Sequence, residues 1–271
     1  MAQFKTFLSN LGIPPGLPLG TDAVISGSCA WYVLRVDCQN ATIRDNTPLI
    51  HPLCEIISKY AAPTWKPNDV DIFCCKSAVP RMLDYLQKNG FKLSKWGLNV
   101  YTKVKTFIIN WSFPDGRDYP HDSAHMYHLF SDSLIEHGLP VLNENGIPVL
   151  NNSCKFGVHD KRRSIQLIIS LDSIRNASEL IVGKFDFPAL ENYYDGQHLS
   201  VSNLEDVLEG MTYIRKEFRI TKKEHVQYDN YLKGAYGAYH RVDNDGNHIH
   251  RLLGRVQKYK QRGLTALRLY L

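Results

Sequence analysis

Asp69 and Asp71 stand two residues apart in the run Asn68-Asp69-Val70-Asp71-Ile72-Phe73. The period-2 alternation of a β-strand puts both carboxylates on one face. Two like charges so placed repel each other, and they lose hydration energy if that face is covered. A hard divalent cation relieves both costs, because magnesium takes oxygen ligands and shares them between carboxylates and phosphates. Upstream, Ile25-Ser26-Gly27-Ser28 offers the complementary chemistry. Gly27 lets the backbone come close to a phosphate, and the Ser28 hydroxyl and nearby amides can donate to it. Asp-x-Asp by itself is common at solvated strand ends, and Gly-Ser is ordinary turn chemistry. Their order and combination carry the expectation of metal-assisted nucleotidyl transfer.

An apolar strand, Gly-Ser, a helix and then Asp-apolar-Asp-apolar resembles the nucleotidyltransferase superfamily typified by DNA polymerase beta. Further stretches, Ile165-Gln166-Leu167-Ile168, Glu179-Leu180-Ile181, Phe185-Asp186-Phe187 and Asn192-Tyr193-Tyr194-Asp195-Gly196, look like a divergent branch of it. That branch occurs in large DNA viruses and some eukaryotic genomes. Arg255-Val256-Gln257-Lys258-Tyr259-Lys260-Gln261-Arg262-Gly263 is similar to the basic helix that closes such chains. The resemblance covers roughly residues 22–200 and the final helix. It implies an α+β core of a mixed β-sheet flanked by helices, residues 1–200, and a basic, mainly helical portion, residues 201–271.

The resemblance also implies a site. Asp69, Asp71 and a third carboxylate on a later strand, Asp186, would bind Mg2+ or Mn2+ and carry catalysis, while Gly27 and Ser28 would hold the phosphates of a nucleoside triphosphate such as ATP. Asp172 and Asp195 stand in reserve as third carboxylates. The implied reaction moves a nucleoside monophosphate to a hydroxyl acceptor and releases pyrophosphate. The other reading on the same fold is a nucleic-acid-binding or scaffold protein without catalysis. One departure is that forty residues separate Ser28 from Asp69, where superfamily members often have one short helix. The inserted stretch holds a helix-like segment, Pro52 to Ala61.

The elements that must position these groups follow from pattern. Phe4 to Leu11 reads as a short helix, and Pro14, Pro15, Gly16, Pro18 and Gly20 then break the chain. Ala23 to Ser26 reads as a strand, Cys29 to Val36 as a helix behind it, and Val70 to Cys74 as the strand of the aspartates. Val79 to Lys88 reads as a helix stopped by Asn89-Gly90. Val100 to Trp111 and Arg163 to Ser170 read as strands, Ser173 to Ile181 as a short helical stretch, and Ser123 to His137 as a helix. Asn143 to Gly146 is a hairpin turn. Asp195-Gly196 turns Phe185 to Tyr194 back onto His198 to Ser202. Leu204 to Met211, Lys222 to Lys233 and His248 to Gly263 read as helices, with Gly234 to Gly246 as a loop.

Composition bounds the partners. The chain has 271 residues, 44% hydrophobic and 22% charged, which fits a globular protein. No apolar run is long enough to cross a bilayer, and Phe4 to Leu11 is too short for a signal peptide. The six cysteines form no CxxC pair and read as reduced core residues. An intracellular protein, cytoplasmic or nuclear, with no membrane partner is the expectation. Net charge is +5, with basic excess from Arg215 to Arg268 and at Lys161-Arg162-Arg163. These patches fit an RNA or DNA acceptor and equally fit solvated helix faces. His121, His125 and His128 have helical spacing, but no HExxH pattern accompanies them, so a surface helix is the better reading. No Walker loop, Rossmann fingerprint or Ser-His-Asp elbow is present.

Overall fold

A computed structural model describes residues 2–44, 65–99, 104–120, 123–143, 145–150, 154–159, 163–201, 211–215 and 244–266. Its helices are α1 (Ala2–Asn10), α2 (Ser28–Arg44), α3 (Val79–Lys88), α4 (Ser123–Glu136) and α5 (Asn244–Gln261). Its strands are β1 (Ala23–Ser26), β2 (Asp69–Cys74), β3 (Lys92–Asn99), β4 (Thr106–Ser112), β5 (Lys155–Phe156), β6 (Ser164–Ser170), β7 (Tyr193–Tyr194), β8 (Leu199–Ser200), β9 (Met211–Thr212) and β10 (Thr265–Ala266). The class is α+β, built on a mixed eight-stranded sheet in the order β5-β3-β4-β6-β2-β1-β7-β8. Strands β2 and β6 pair in parallel, as do β3 and β5, and the other neighbours in this sheet are antiparallel.

The chain divides into two compact units, discontinuous in sequence. The first comprises Met1–Leu34, Lys66–Lys184 and Asn192–Val201, and it holds the whole eight-stranded sheet. The second comprises Arg35–Trp65, Phe185–Glu191 and Ser202–Leu271.

In the first unit, strand alternation sorts the sheet into two chemically different faces. Val70, Ile72 and Cys74 of β2, Ile165, Leu167 and Ile169 of β6, and Phe107, Ile109 and Trp111 of β4 are all fully buried. They form one core with Met82, Leu83 and Leu86 of α3 and Phe130 and Leu134 of α4. Each such side chain contributes about 1.5–3 kcal/mol by leaving water. The alternate positions carry Asp69, Asp71, Ser164, Gln166, Ser112 and Asn110 beside one apolar row, Phe73, Ile168 and Ile108.

Local chemistry explains the elements. Helix α3 carries a proline in its first turn, where a missing N–H costs nothing. It ends at Gly90, whose φ of 75° is the left-handed stop that glycine supplies. Phe4 of α1 stacks on Tyr194 of β7 with ring centroids 4.0 Å apart. That contact fastens the N-terminal helix beside the strand next to β1. Asp22 leads into β1, and Arg81 of α3 donates to both its carboxylate oxygens. That hydrogen bond holds the Asp22 carboxyl below its ordinary value.

Several expectations are met closely, among them β1, α3 and the turn at Asp195, whose Oδ1 accepts from the amides of Gln197 and His198. Others are corrected. Helix α2 runs on to Arg44. The strand expected from Val100 begins at Thr106, and its partner β3 was not foreseen, because Lys92 to Asn99 mixes charge, glycine and apolar residues without clean alternation. The stretch from Ser173 tightens into a 3-10 turn, Ala177–Leu180. The turn expected at Asn143 is present, with Gly146 N donating to Asn143 O, and the runs it joins meet in one antiparallel bridge, Leu142 to Pro148. Pro52 to Ala61, Leu204 to Gly210 and Lys222 to Lys233 lie outside the described residues.

In the second unit, α5 buries Leu252, Val256 and Tyr259. The ring of Tyr259 meets that of Phe187 edge to face at 5.6 Å. The helix ends in a Schellman motif: Leu264 N donates to Tyr259 O and Gly263 N to Lys260 O, with Gly263 at φ 85°. Strands β9 and β10 pair in parallel.

Candidate functional site

Strand β1 runs antiparallel to β2 with Ser26 opposite Asp71. The chain then turns at Gly27 and enters α2 at Ser28, where Trp31 N donates to Gly27 O in the first helical bond. Gly27 sits at φ 69°, a left-handed conformation that L side chains rarely adopt. A Cβ added there would come 3.3 Å from Oδ2 of Asp71. The Cys29 thiol donates to the backbone oxygen of Asp69 at 3.1 Å, fixing the start of α2 against β2. The fold therefore brings four of the expected residues, Gly27, Ser28, Asp69 and Asp71, to one corner of the first unit.

Asp69 and Asp71 are both half-buried and lie on the same strand face, as their spacing requires. No ion pair to Asp69 is present among the described residues. An α-helix leaves its first amides without intrahelical partners, and its dipole favours negative charge there. Two carboxylates and a helix start suit a hard cation that shares its ligands with phosphate. The missing Cβ of Gly27 lets the turn approach the Asp71 carboxylate closely, and Gly27 and Ser28 are themselves buried. Magnesium would use Asp69 and Asp71 as protein ligands. No third His, Cys, Asp or Glu completes a metal-holding group with them among the described residues.

Asp186 was expected on a strand beside the aspartate pair. It lies instead in a bend just before the 3-10 turn Pro188–Leu190, in the second unit. Pro188 follows two positions later and lacks the N–H that a ladder needs. Oδ1 of Asp186 accepts from Arg255 of α5 at 2.9 Å and from the amide of Phe187 at 3.1 Å. The strand that does neighbour β2 is β6, and the residues facing Asp69 and Asp71 across it are Ser164 and Gln166. Asp172 follows β6 at Ser170, and its amide is held by the Ser170 hydroxyl. Asp195 serves the β7–β8 turn.

Sequence reasoning did not single out the amides beside Asp71. Gln166 is the direct partner of Asp71, and Asn110 is the direct partner of Gln166. The Gln166 Nε2 donates to Asn110 Oδ1 at 2.8 Å. The signal was a single amide inside each of two apolar strands, Ile165-Gln166-Leu167 and Ile109-Asn110-Trp111. Of the two candidate tyrosines, Tyr194 is buried under Phe4 and Tyr193 is half-buried opposite Ser26. His125 is exposed on α4, and His128 is exposed on the same helix. Arg163 of the basic cluster donates to Asp115 and to Leu11 O and covers the Phe113 ring, so it is engaged in the fold.

The fold and site define an α+β protein with an acidic pair and a glycine turn at one corner of a mixed sheet. No family model matches the chain, and neither the curated proteins nor the solved structures give a match. No helix among the described residues is long and apolar enough to cross a membrane.

Proposed function

We propose that the chain is a metal-dependent nucleotidyltransferase that moves a nucleoside monophosphate from a triphosphate to a hydroxyl acceptor. The observation that carries this reading is the juxtaposition at the corner: Gly27 in a left-handed turn beside the Asp71 carboxylate, with Asp69 on the same face. Magnesium or manganese, when bound, supplies charge neutralisation on the triphosphate and lowers the pKa of a coordinated hydroxyl. Asp69 and Asp71 hold that charge in place. The Gly27 backbone and the Ser28 hydroxyl orient the β- and γ-phosphates. The acceptor oxygen then forms a bond to the α-phosphorus while the bond to the α–β bridging oxygen breaks. The electron pair leaves with pyrophosphate, and the hydroxyl proton passes to a carboxylate or water. The acceptor is RNA or DNA, drawn by the basic C-terminal residues, within a cell and in keeping with the viral and eukaryotic branch resembled above.

A second reading keeps the fold and drops catalysis, as a nucleic-acid-binding or scaffold protein. Two observations favour it: Ser164 and Gln166 occupy the strand positions facing the aspartates, and Asp186 is ion-paired. Incubation with each labelled nucleoside triphosphate, magnesium or manganese, and a mixture of RNA, DNA and protein acceptors separates the two. Label on an acceptor, lost in Asp71→Asn, is the result expected. Nucleotide-dependent thermal stabilisation without any transferred label overturns catalysis in favour of the second reading.

A further inference from the structure

We propose that the flank of α5 bearing Arg255 and Lys258, with Arg262 just past its end, docks a single-stranded polynucleotide through its phosphodiester backbone. The proposal gives a surface to the acceptor of the reading above and rests on it for its use, though the binding needs neither metal nor triphosphate. Residues 255, 258 and 262 recur at i, i+3 and i+7, so the helical period puts them on one flank. From 255 to 262 the stripe runs about 10 Å. Its neighbours along one helix face are about 5–6 Å apart.

The cations are held by rings rather than left to wander. The Arg262 guanidinium lies 4.2 Å from the centroid of Trp65 and 5.6 Å from that of Tyr259. Lys258 Nζ stands 5.7 Å from the Tyr259 centroid. Arg255 stands 5.9 Å from Phe187 and 6.0 Å from Tyr259. The Arg262 backbone oxygen accepts from both Trp65 Nε1 and Arg35 Nη1, which fixes where that side chain begins. Lys258 is exposed, and the Arg255 side chain is 45% exposed despite its bond to Asp186. Cations already ordered on aromatic faces lose less freedom when they meet phosphates. A positive track beside a half-buried indole is what binders of single strands combine. Contacts to phosphate give charge without base readout, so RNA and DNA of one length should bind alike.

The test is fluorescence anisotropy of the full chain with labelled oligouridine and oligothymidine of about 20 nucleotides, without metal or triphosphate, across about 50–200 mM salt. Each phosphate neutralised on a single strand contributes about 0.7 to the slope of log K against log salt. Lys258→Gln should flatten the slope by about 0.7, and Lys258→Gln with Arg262→Gln by about 1.4. Lys260→Gln, turned about 200° from Lys258 on the helix, should leave the slope unchanged. Arg262 also packs on Trp65, so the exposed Lys258 carries the test alone if the double variant misfolds. An unchanged slope in Lys258→Gln, an equal loss in Lys260→Gln, tighter binding of duplex than of single strand, or full displacement by polyglutamate overturns the proposal. Binding retained while transfer is absent leaves this surface standing and removes the catalytic reading. Binding absent while magnesium and triphosphate still stabilise the protein does the opposite.

Discussion

Ser26 of β1 and Asp71 of β2 are direct antiparallel partners, so the chain must turn at Gly27 within reach of the Asp71 carboxylate. The Ser26 hydroxyl donates to the Asn192 backbone oxygen at 2.7 Å. The strand end on which the turn rests is thereby pinned from both sides, by β2 and by the segment entering β7. A turn proposed to hold phosphate needs such anchoring, because misplacing a binding group by about 1 Å can cost about 100-fold in rate.

Asp69→Asn should abolish stabilisation by magnesium and triphosphate while leaving the melting temperature of the ligand-free protein equal or higher. Removing one of two like charges relieves repulsion, and Asp69 has no ion pair among the described residues to lose. Ligand at about a hundred times its Kd stabilises a protein by about 2.7 kcal/mol, well within reach of thermal unfolding. A large drop in ligand-free stability would instead mark Asp69 as a structural residue.

Gly27→Val should cost about 1–3 kcal/mol of stability, because a β-branched residue is forced to positive φ. It should also remove triphosphate binding, since the new side chain enters the space beside Asp71. Denaturant unfolding measures the first effect and nucleotide titration the second. Gly27→Val protein that binds triphosphate as tightly as the parent would show that the turn does not hold phosphate.

The Asp22–Arg81 pair predicts an acid-dependent loss of stability. Arg81 lowers the Asp22 pKa in the folded chain below its ordinary 3.8. The carboxylate therefore contributes fully above that value, and its contribution is lost as pH falls through the lowered folded value. Side chains 26% and 37% exposed limit the effect to about 1 kcal/mol. Asp22→Asn should be less stable than the parent at neutral pH by that amount, and the two should converge as pH falls below 3.8 through the lowered folded value. Urea midpoints measured down this range check the convergence.

Glu191→Gln should destabilise the second unit more than any surface change in it. Glu191 is 1% exposed and accepts from Arg215 through both oxygens, at 2.9 and 2.8 Å, and from the Phe185 amide at 3.1 Å. Removing one partner of a buried pair costs about 3–5 kcal/mol. Arg215→Lys should retain only part of the stability, because an ammonium cannot match the two-pronged contact. Hydrogen exchange at Ile214 and Leu190 would report the loosening locally.

The strands and helices closest to the aspartate pair were legible because their signals are local. Alternation fixed which face Asp69 and Asp71 share, and Val79-Pro80 with Asn89-Gly90 marked both ends of α3. Helix α5 was expected from His248 and begins at Asn244, inside the stretch expected as a loop, and it ends at the left-handed turn of Gly263, which only glycine takes without strain. What surrounds the aspartates depended on pairing between distant strands. Nothing in Ile165-Gln166-Leu167 or Ile109-Asn110-Trp111 announces that the two amides will line up beside Asp71. Phe185-Asp186-Phe187 alternates as a strand would, yet Arg255, sixty-nine positions away, claims its carboxylate in a bend. Periodicity along the chain determines which way a side chain points. Which partner it meets is decided by long-range strand order and helix packing, where the burial of Val70, Ile72, Leu167 and Trp111 outweighs local preference.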